Sequence, residues 1–292
     1  MRHAPSLLVL GHVTRDRFGV AQRIGGAAAY AARAAVLLGV PTRLVTVAPP
    51  DAPELGVLRG SPVHGVSTTT PEHDALAPLE LACAPSPCIT TFTLHYHGAE
   101  RALSLALCAR PLTLADVPER WREPDVVFAG SVAGEIDADL VRAFPSAYVV
   151  AGLQGWLRAP TLGPVRPRRL PAPCDVPPSL RVATLSEADH PRAHALAAAL
   201  AARGVIVAVT AGKRGAHVCW SKERTFVPAA PAREVDPTGA GDVFALVFGL
   251  ALYAGCSPER AGELGALAAA RVVEGPELGN LARALGALQL WT

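Results

Sequence analysis

The sequence predicts an α/β protein: a mostly parallel central sheet with helices on both faces, three layers in all, and a small β lid. Three observations predict it. Short aliphatic runs recur along the chain, stretches of helix-forming residues separate several of them, and one segment alternates threonines with apolar residues instead.

The first run, Ser6 to Gly11, ends in a turn signal and reads as a buried strand. From Gly25 to Gly39 two glycines lead into Ala27, Ala28, Ala29, Ala31, Ala32, Ala34, Ala35 and Leu37, a helix with Gly39 as its stop. Arg43 to Val47 is the next strand. Further strands are predicted at Val126 to Ala129, Tyr148 to Ala151, Val182 to Leu185 and Val205 to Thr210. Ile89 to Leu107 alternates and turns at His97-Gly98-Ala99-Glu100, the pattern of an antiparallel hairpin projecting from the core. Ala159 to Pro178 carries seven prolines with Arg166, Arg168 and Arg169 among them, and reads as an irregular surface connection. Helices are expected at Gly241 to Gly255, at Pro258 to Val273 behind the cap Ser257, and at Glu277 to Leu288.

Composition sets the class. Half of the 292 residues are apolar and 18% are charged, enough apolar chain for a sizeable core. Twenty-seven basic against 25 acidic side chains leave a balance of +2, so neither a nucleic-acid nor a membrane partner is indicated, and a small-molecule partner is expected. The apolar run Leu7 to Leu10 is too short for a signal-peptide core or a bilayer span. Six cysteines lie far apart with no C-x-x-C pair, which suits reduced thiols in a cytoplasm. No linker divides the chain, so residues 1–292 read as one domain, with the lid formed by about 12–24 and 88–108.

The strongest chemical signal is Asp236-Pro237-Thr238-Gly239-Ala240-Gly241-Asp242, followed at once by the apolar run Val243 to Leu252. Small residues before a helix let the amides of Gly239, Ala240 and Gly241 converge at its N-terminus, where orphan donors and the dipole favour an anion. A carboxylate at Asp242 repels that anion unless it accepts a proton from a hydroxyl attacking a bound phosphoryl group. The alternative is that Asp242 merely complements the helix dipole. Neither a Walker loop nor a G-x-G-x-x-G dinucleotide turn follows the first strand.

Two glycine motifs in this order, Gly25-Gly26-Ala27-Ala28 and Asp236-Pro237-Thr238-Gly239-Ala240-Gly241-Asp242, resemble the N- and C-terminal signatures of the ribokinase-like (PfkB) carbohydrate kinases. The resemblance implies the ribokinase-like fold and ATP-dependent phosphorylation of a sugar or cyclitol hydroxyl. It makes Asp242 the catalytic base and Gly239, Ala240 and Gly241 the anion hole. Thr210, Gly212 and Lys213, together with Thr238, Gly239 and Gly241, would contact the nucleotide. Asp16, Gly25 and Gly26 would contact the acceptor, and the hairpin would exclude water above it. Mg2+ is implied, and K+ is a further cation the family can use.

Departures accompany the match. Ser186-Glu187-Ala188-Asp189 stands where the family has N-x-x-E, so Glu187 and Asp189 are the candidates for indirect, water-mediated metal contact; the same four residues also read as a helix N-cap box. Tyr30 replaces an asparagine. The segment Gln154-Gly155-Trp156-Leu157-Arg158 resembles a Q-G-x-x-R stretch in inositol-kinase-like members, as does His12 after Gly11, which makes a myo-inositol-like acceptor the specific expectation and Gln154 and Arg158 its contacts, unless they only pack and cap. Two alternatives stand beside this reading: a nucleoside kinase of the same family, and a ribokinase-like protein that binds a ligand without turnover. A homodimer would pair through the lid edge.

Overall fold

The computed structural model describes residues 4–59, 79–97, 100–168 and 176–275. A nine-stranded sheet runs through its centre. In chain order its strands are β1 (Leu7–Leu10), β4 (Thr42–Ala48), β5 (Leu79–Pro85), β8 (Val126–Gly130), β9 (Tyr148–Gly152), β11 (Leu180–Ser186), β12 (Ile206–Thr210), β13 (Gly215–Trp220) and β14 (Glu223–Pro228). The spatial order is β14-β13-β12-β11-β9-β8-β1-β4-β5. From β5 across to β12 every neighbouring pair is parallel, and only the β12–β13 and β13–β14 pairs at one edge are antiparallel.

The aliphatic runs form these strands because successive side chains serve opposite faces, and both faces are covered. Leu7 and Val9 lie in the core on one face with helices α1 (Ala27–Leu37), α5 (Ala240–Tyr253) and α6 (Pro258–Val272). Leu8 and Leu10 lie in the core on the other face with α3 (Ala138–Arg142) and α4 (Ala193–Ala201). A short helix α2 (Pro53–Leu58) follows β4. Residues 243–252 of α5 are all buried, so this helix is apolar all round because it is sandwiched between the sheet and its helical neighbours. Gly249 allows that: a Cβ there would overlap the side chain of Val150 on β9.

A second sheet of five strands contains β2 (Thr14–Phe18), β3 (Ala21–Gly25), β6 (Thr90–His97), β7 (Glu100–Leu107) and β10 (Gly163–Pro164), in the order β10-β7-β6-β2-β3. The hairpin expected over Ile89 to Leu107 is the antiparallel pair β6 and β7. Strands β2 and β3 are polar and partly exposed, so no aliphatic run announces them. The proline-rich connection is less irregular than its composition suggests. Val165 N donates to Leu103 O at 2.9 Å, and Gly163–Pro164 adds an edge strand to β7, a place a proline tolerates because no ladder donor is needed there. Residues 169–175 of that connection, and the helix expected at Glu277 to Leu288, lie outside the described residues.

One local reading is corrected. Ser186-Glu187-Ala188-Asp189 does not cap a helix: Asp189 Oδ2 accepts from Ser186 N at 2.8 Å and closes a tight turn, while α4 starts only at Ala193. Pro191 explains the delay, because it disfavours the helical conformation at His190. The other caps stand as the sequence has them. Gly39 ends α1 with φ +73, and Ser257 Oγ accepts from Arg260 N at 3.2 Å ahead of Pro258.

Candidate active site

The site lies at the carboxyl ends of the parallel strands, where open α/β sheets bind ligands. The chain runs outward from β1 to β4 and β5 in one direction and then resumes on the other side of β1 with β8, so the switch point is between β1 and β8. There Gly11 and Gly130 touch: a Cβ on Gly11 would overlap the carbonyl of Gly130. Beside Gly11, His12 is fully buried. Its ring bonds Thr90 Oγ1 at 2.7 Å and Arg110 O at 2.9 Å, and its amide donates to Glu135 Oε1 at 3.1 Å. His12 therefore locks the end of β1 to the root of β6 and does not reach for a ligand.

Glu135 organises the turn after β8. It accepts from Ser131 Oγ at 3.0 Å, from Val132 N at 3.0 Å and from Ala133 N at 2.8 Å. Burial alone would push its pKa up, but His12 and the surrounding amides hold it below the usual carboxylate value. Against this turn folds Gln154 to Arg158. Gly155 N donates to Ser131 O at 2.9 Å, and Gly155 has no room for a Cβ against Ser131. Trp156 Nε1 donates to Ile136 O.

That anchoring aims two side chains. Gln154 Nε2 donates to Asp189 Oδ1 at 3.2 Å. Arg158 donates to Val132 O at 3.1 Å, with its guanidinium 5.7 Å from the centroid of the Phe92 ring in β6.

Asp242 stands in the first turn of α5, behind Gly239 in a left-handed conformation with φ +80. Burial pushes its carboxyl up to about 7; the Arg158 charge pulls down, and Asp189 and Asp16 push up. Arg158, Asp189 and Asp16 thus all act on Asp242. Asp16 accepts from Thr14 Oγ1 at 2.9 Å, and Gly25 passes so close that a Cβ would overlap the Asp16 carboxylate. Gly26, with φ +95, passes equally close to His12 O.

Around Gly239 to Gly241 the loop is held from both sides. Asp236 Oδ1 accepts from Thr238 N at 3.0 Å, and Asp236 Oδ2 accepts from Arg23 of β3 at 2.8 Å, so the second sheet is tied to this loop. The Tyr30 ring of α1 packs on Gly239 so closely that a Cβ there would overlap it. Gly241 is the opposite case: a Cβ would meet nothing within 4 Å. The Ala240 amide donates to Pro237 O at 3.3 Å.

The remaining predicted residues line the neighbouring loop. Thr210 ends β12 with its hydroxyl 3.4 Å from Leu185 O, Gly212 is left-handed with φ +57 over open space, and Lys213 pairs with Glu234 at 3.4 Å. Glu187 does not join Asp189. Its carboxylate bonds His194 Nε2 at 2.8 Å and the Arg214 guanidinium. Sequence reasoning missed Glu135, Arg23 and the packing role of Tyr30. Only the replacement at Tyr30 left a visible trace.

Residues 181–284 match the model of the pfkB family carbohydrate kinases. No curated protein matches the chain significantly. A pyrophosphate-dependent kinase in the ribokinase family, solved with a pyrophosphate analogue and myo-inositol, superposes with a TM-score of 0.76 at 20% identity, covering 95% of this chain and 99% of that one. Arabidopsis thaliana ribokinase, solved with ribose and ATP, gives 0.68 at 17% identity over 99% and 100%. A probable sugar kinase from Rhizobium etli gives 0.69 at 18% identity over 98% and 99%. At such identities the likeness is one of fold. Among the described residues no helix is long and apolar enough to cross a membrane. The stretch that matches the family model carries Asp242, and along its length the chain shares the fold of ribokinase-family kinases.

Proposed function

We propose that this chain transfers the terminal phosphoryl group of ATP to a hydroxyl of a cyclitol or sugar, with myo-inositol as the first acceptor to test. The observation that carries the reading is Asp242: a carboxylate at the N-terminus of α5, held near neutrality by burial and by its Arg158, Asp189 and Asp16 neighbours. A base with pKa near working pH combines a populated anionic form with useful basicity.

In this reading the acceptor lies between Asp16, Gly25 and Gly26 on one side and Gln154 and Arg158 on the other. Asp242 takes the hydroxyl proton while that oxygen bonds to phosphorus and the bond to the leaving phosphate oxygen breaks, releasing ADP. Amides of Gly239 and Gly241 and the dipole of α5 meet the developing charge, whereas the Ala240 amide, expected to join them, is engaged with Pro237 O. Thr210, Gly212, Lys213 and Thr238 hold the donor. Strands β2, β3, β6 and β7 form a lid over the acceptor, and water excluded by it cannot compete for the phosphoryl group.

Mg2+ fits the donor set, since Asp16, Asp189 and Asp242 offer only hard oxygen ligands and the first two disfavour the charged form of Asp242. When bound, it would neutralise phosphate charge. Asp189 is the residue to hold its water shell, oriented by Gln154, whereas Glu187 is engaged with His194 and Arg214. K+ dependence is a question for the same assay. The free thiols at Cys83, Cys88, Cys108, Cys219 and Cys256 suit a reducing cytoplasm. A second copy would pair on β3, whose Ala21, Gln22 and Arg23 are exposed at the edge of the second sheet.

A second donor merits equal testing, because the first-named structural neighbour is a pyrophosphate-dependent kinase. The experiment offers ATP or pyrophosphate with Mg2+ to a panel of inositols, sugars and nucleosides, following ADP or phosphate release, with Asp242→Asn as control. Acceptor-dependent release in the wild type alone names donor and acceptor. A nucleoside as best acceptor replaces the cyclitol reading, and ligand binding without release under any pair removes the kinase reading.

A further inference from the structure

Glu187, which the phosphoryl-transfer site does not use, belongs to a second cluster. Its amide donates to Thr210 O at 3.0 Å, which seats it beside the end of β12. His194 reaches it from the first turn of α4 and His217 from the middle of β13, so three elements converge. His194 Nε2 lies 2.8 Å from Glu187 Oε1. The two imidazoles meet edge to face, 5.1 Å between centroids at 77°, and Phe226 closes the far side of His217 at 4.8 Å. One ligand atom from each of Glu187, His194 and His217 lies within 4.8 Å of the other two. The other nitrogen of His194, Nδ1, is buried without a hydrogen-bond partner.

We infer that Glu187, His194 and His217 form a binding site for one divalent transition-metal ion of the zinc class, separate from the oxygen-lined site around Asp242. Two imidazoles and one carboxylate are the borderline-soft donor set of Zn2+, Co2+ and Ni2+, and three protein ligands leave a coordination position for water.

Metal bonds of about 2.1 Å put tetrahedral ligands roughly 3.4 Å apart, so the widest separation must close by about 1.4 Å. Side-chain rotation covers that, because His194 is 40% and Glu187 29% exposed. The His194 to Glu187 bond already brings two of the three donors together. Arg214 need not leave. It bonds Oε2, so Oε1 can turn to the metal while the guanidinium holds the carboxylate from outside, the arrangement that orients carboxylate ligands in metal sites. Arg214 and Arg224 also repel a cation, which points to a site weaker than a closed structural zinc site.

The test is a Co2+ titration of the full chain followed by visible absorption. The expected result is one equivalent bound with ligand-field bands and no sulfur charge-transfer band, which excludes the cysteines. His194→Gln and His217→Gln should each weaken binding by at least about tenfold, and Zn2+ should raise the melting temperature of the wild type but not of either variant. No stoichiometric uptake by the wild type overturns the inference, as does uptake unchanged in folded His217→Gln. Should one histidine variant fail to fold, Glu187→Gln, which keeps the side-chain shape, must lose Co2+ affinity in its place. None of these readouts depends on kinase activity, so the site stands or falls apart from the proposed reaction.

Discussion

Two glycine-rich turns open helices in this protein, and they do opposite things. At the N-terminal turn, Gly25 and Gly26 are crowded: a Cβ on either would strike Asp16 or the His12 carbonyl, so the glycines exist to let strand β3 pass close to β2. At the C-terminal turn, Gly239 is crowded by Tyr30, but Gly241 faces open space at the end of a helix whose first turn carries Asp242. The first turn is packed shut and positions a carboxylate. The second is packed on one side and open on the other, and the opening is where an anion can reach the amides. The meaning of a glycine thus lies in what a side chain would hit.

The comparison breaks most visibly at Asp242. Asp242→Asn should reduce turnover by about 10²- to 10⁴-fold, measured with the best donor and acceptor pair, because it removes the proton acceptor and keeps the shape. The same change should raise stability at pH 8 by roughly 1–3 kcal/mol in denaturant unfolding, since a half-buried carboxylate with its pKa raised to about 7 is costly to ionise. Loss of activity with loss of stability would assign Asp242 to structure instead.

The glycines come next. Gly239→Ala and Gly26→Ala should each cost roughly 2–4 kcal/mol, because both residues combine positive φ with a clash. Gly241→Ala should leave the melting temperature within a degree or two and lower kcat by about 10²-fold, since the methyl group occupies the space where the phosphoryl group must approach. Equal destabilisation at 239 and 241 would erase the distinction between a packed and an open glycine.

How much of this was legible in the sequence follows the same line. Buried strands announce themselves, as Leu7–Leu10 and Ile206–Thr210 do, because both faces need aliphatic side chains. Thr14–Phe18 and Ala21–Gly25 did not, because a sheet exposed on one face can be built from polar residues whose register is set by partners far along the chain. Asp242 was legible because its helix start is local. Its Arg158, Asp189 and Asp16 neighbours were named separately, but only the fold brings them together. Glu135 carried no local signal, since its role is to satisfy amides that a distant histidine and its own turn present.

A pH series sharpens the comparison further. With the Asp242 pKa raised to about 7, the reactive anion fills as pH rises, so kcat should climb about tenfold per unit below 7 and level above it. Stability runs the other way. A carboxyl whose folded pKa lies above its unfolded one contributes most below about pH 4 and loses that contribution as pH rises through 7. Asp242→Asn should flatten the stability change; a slope unaltered by the substitution would place its origin elsewhere.

The smallest effect tests the tie between the two turns. Arg23 on β3 donates to Asp236, which also accepts from Thr238 N, so one carboxylate joins the second sheet to the loop before α5. The pair is exposed on the arginine side, and Arg23→Ala should cost under about 1 kcal/mol of stability. If the second sheet covers the acceptor, freeing it from the loop should raise the acceptor KM about two- to fivefold with the donor KM unchanged. A rise in donor KM alone would mean that Arg23 serves the loop rather than the lid, and the two turns would then be coupled through Tyr30 and Gly239 only.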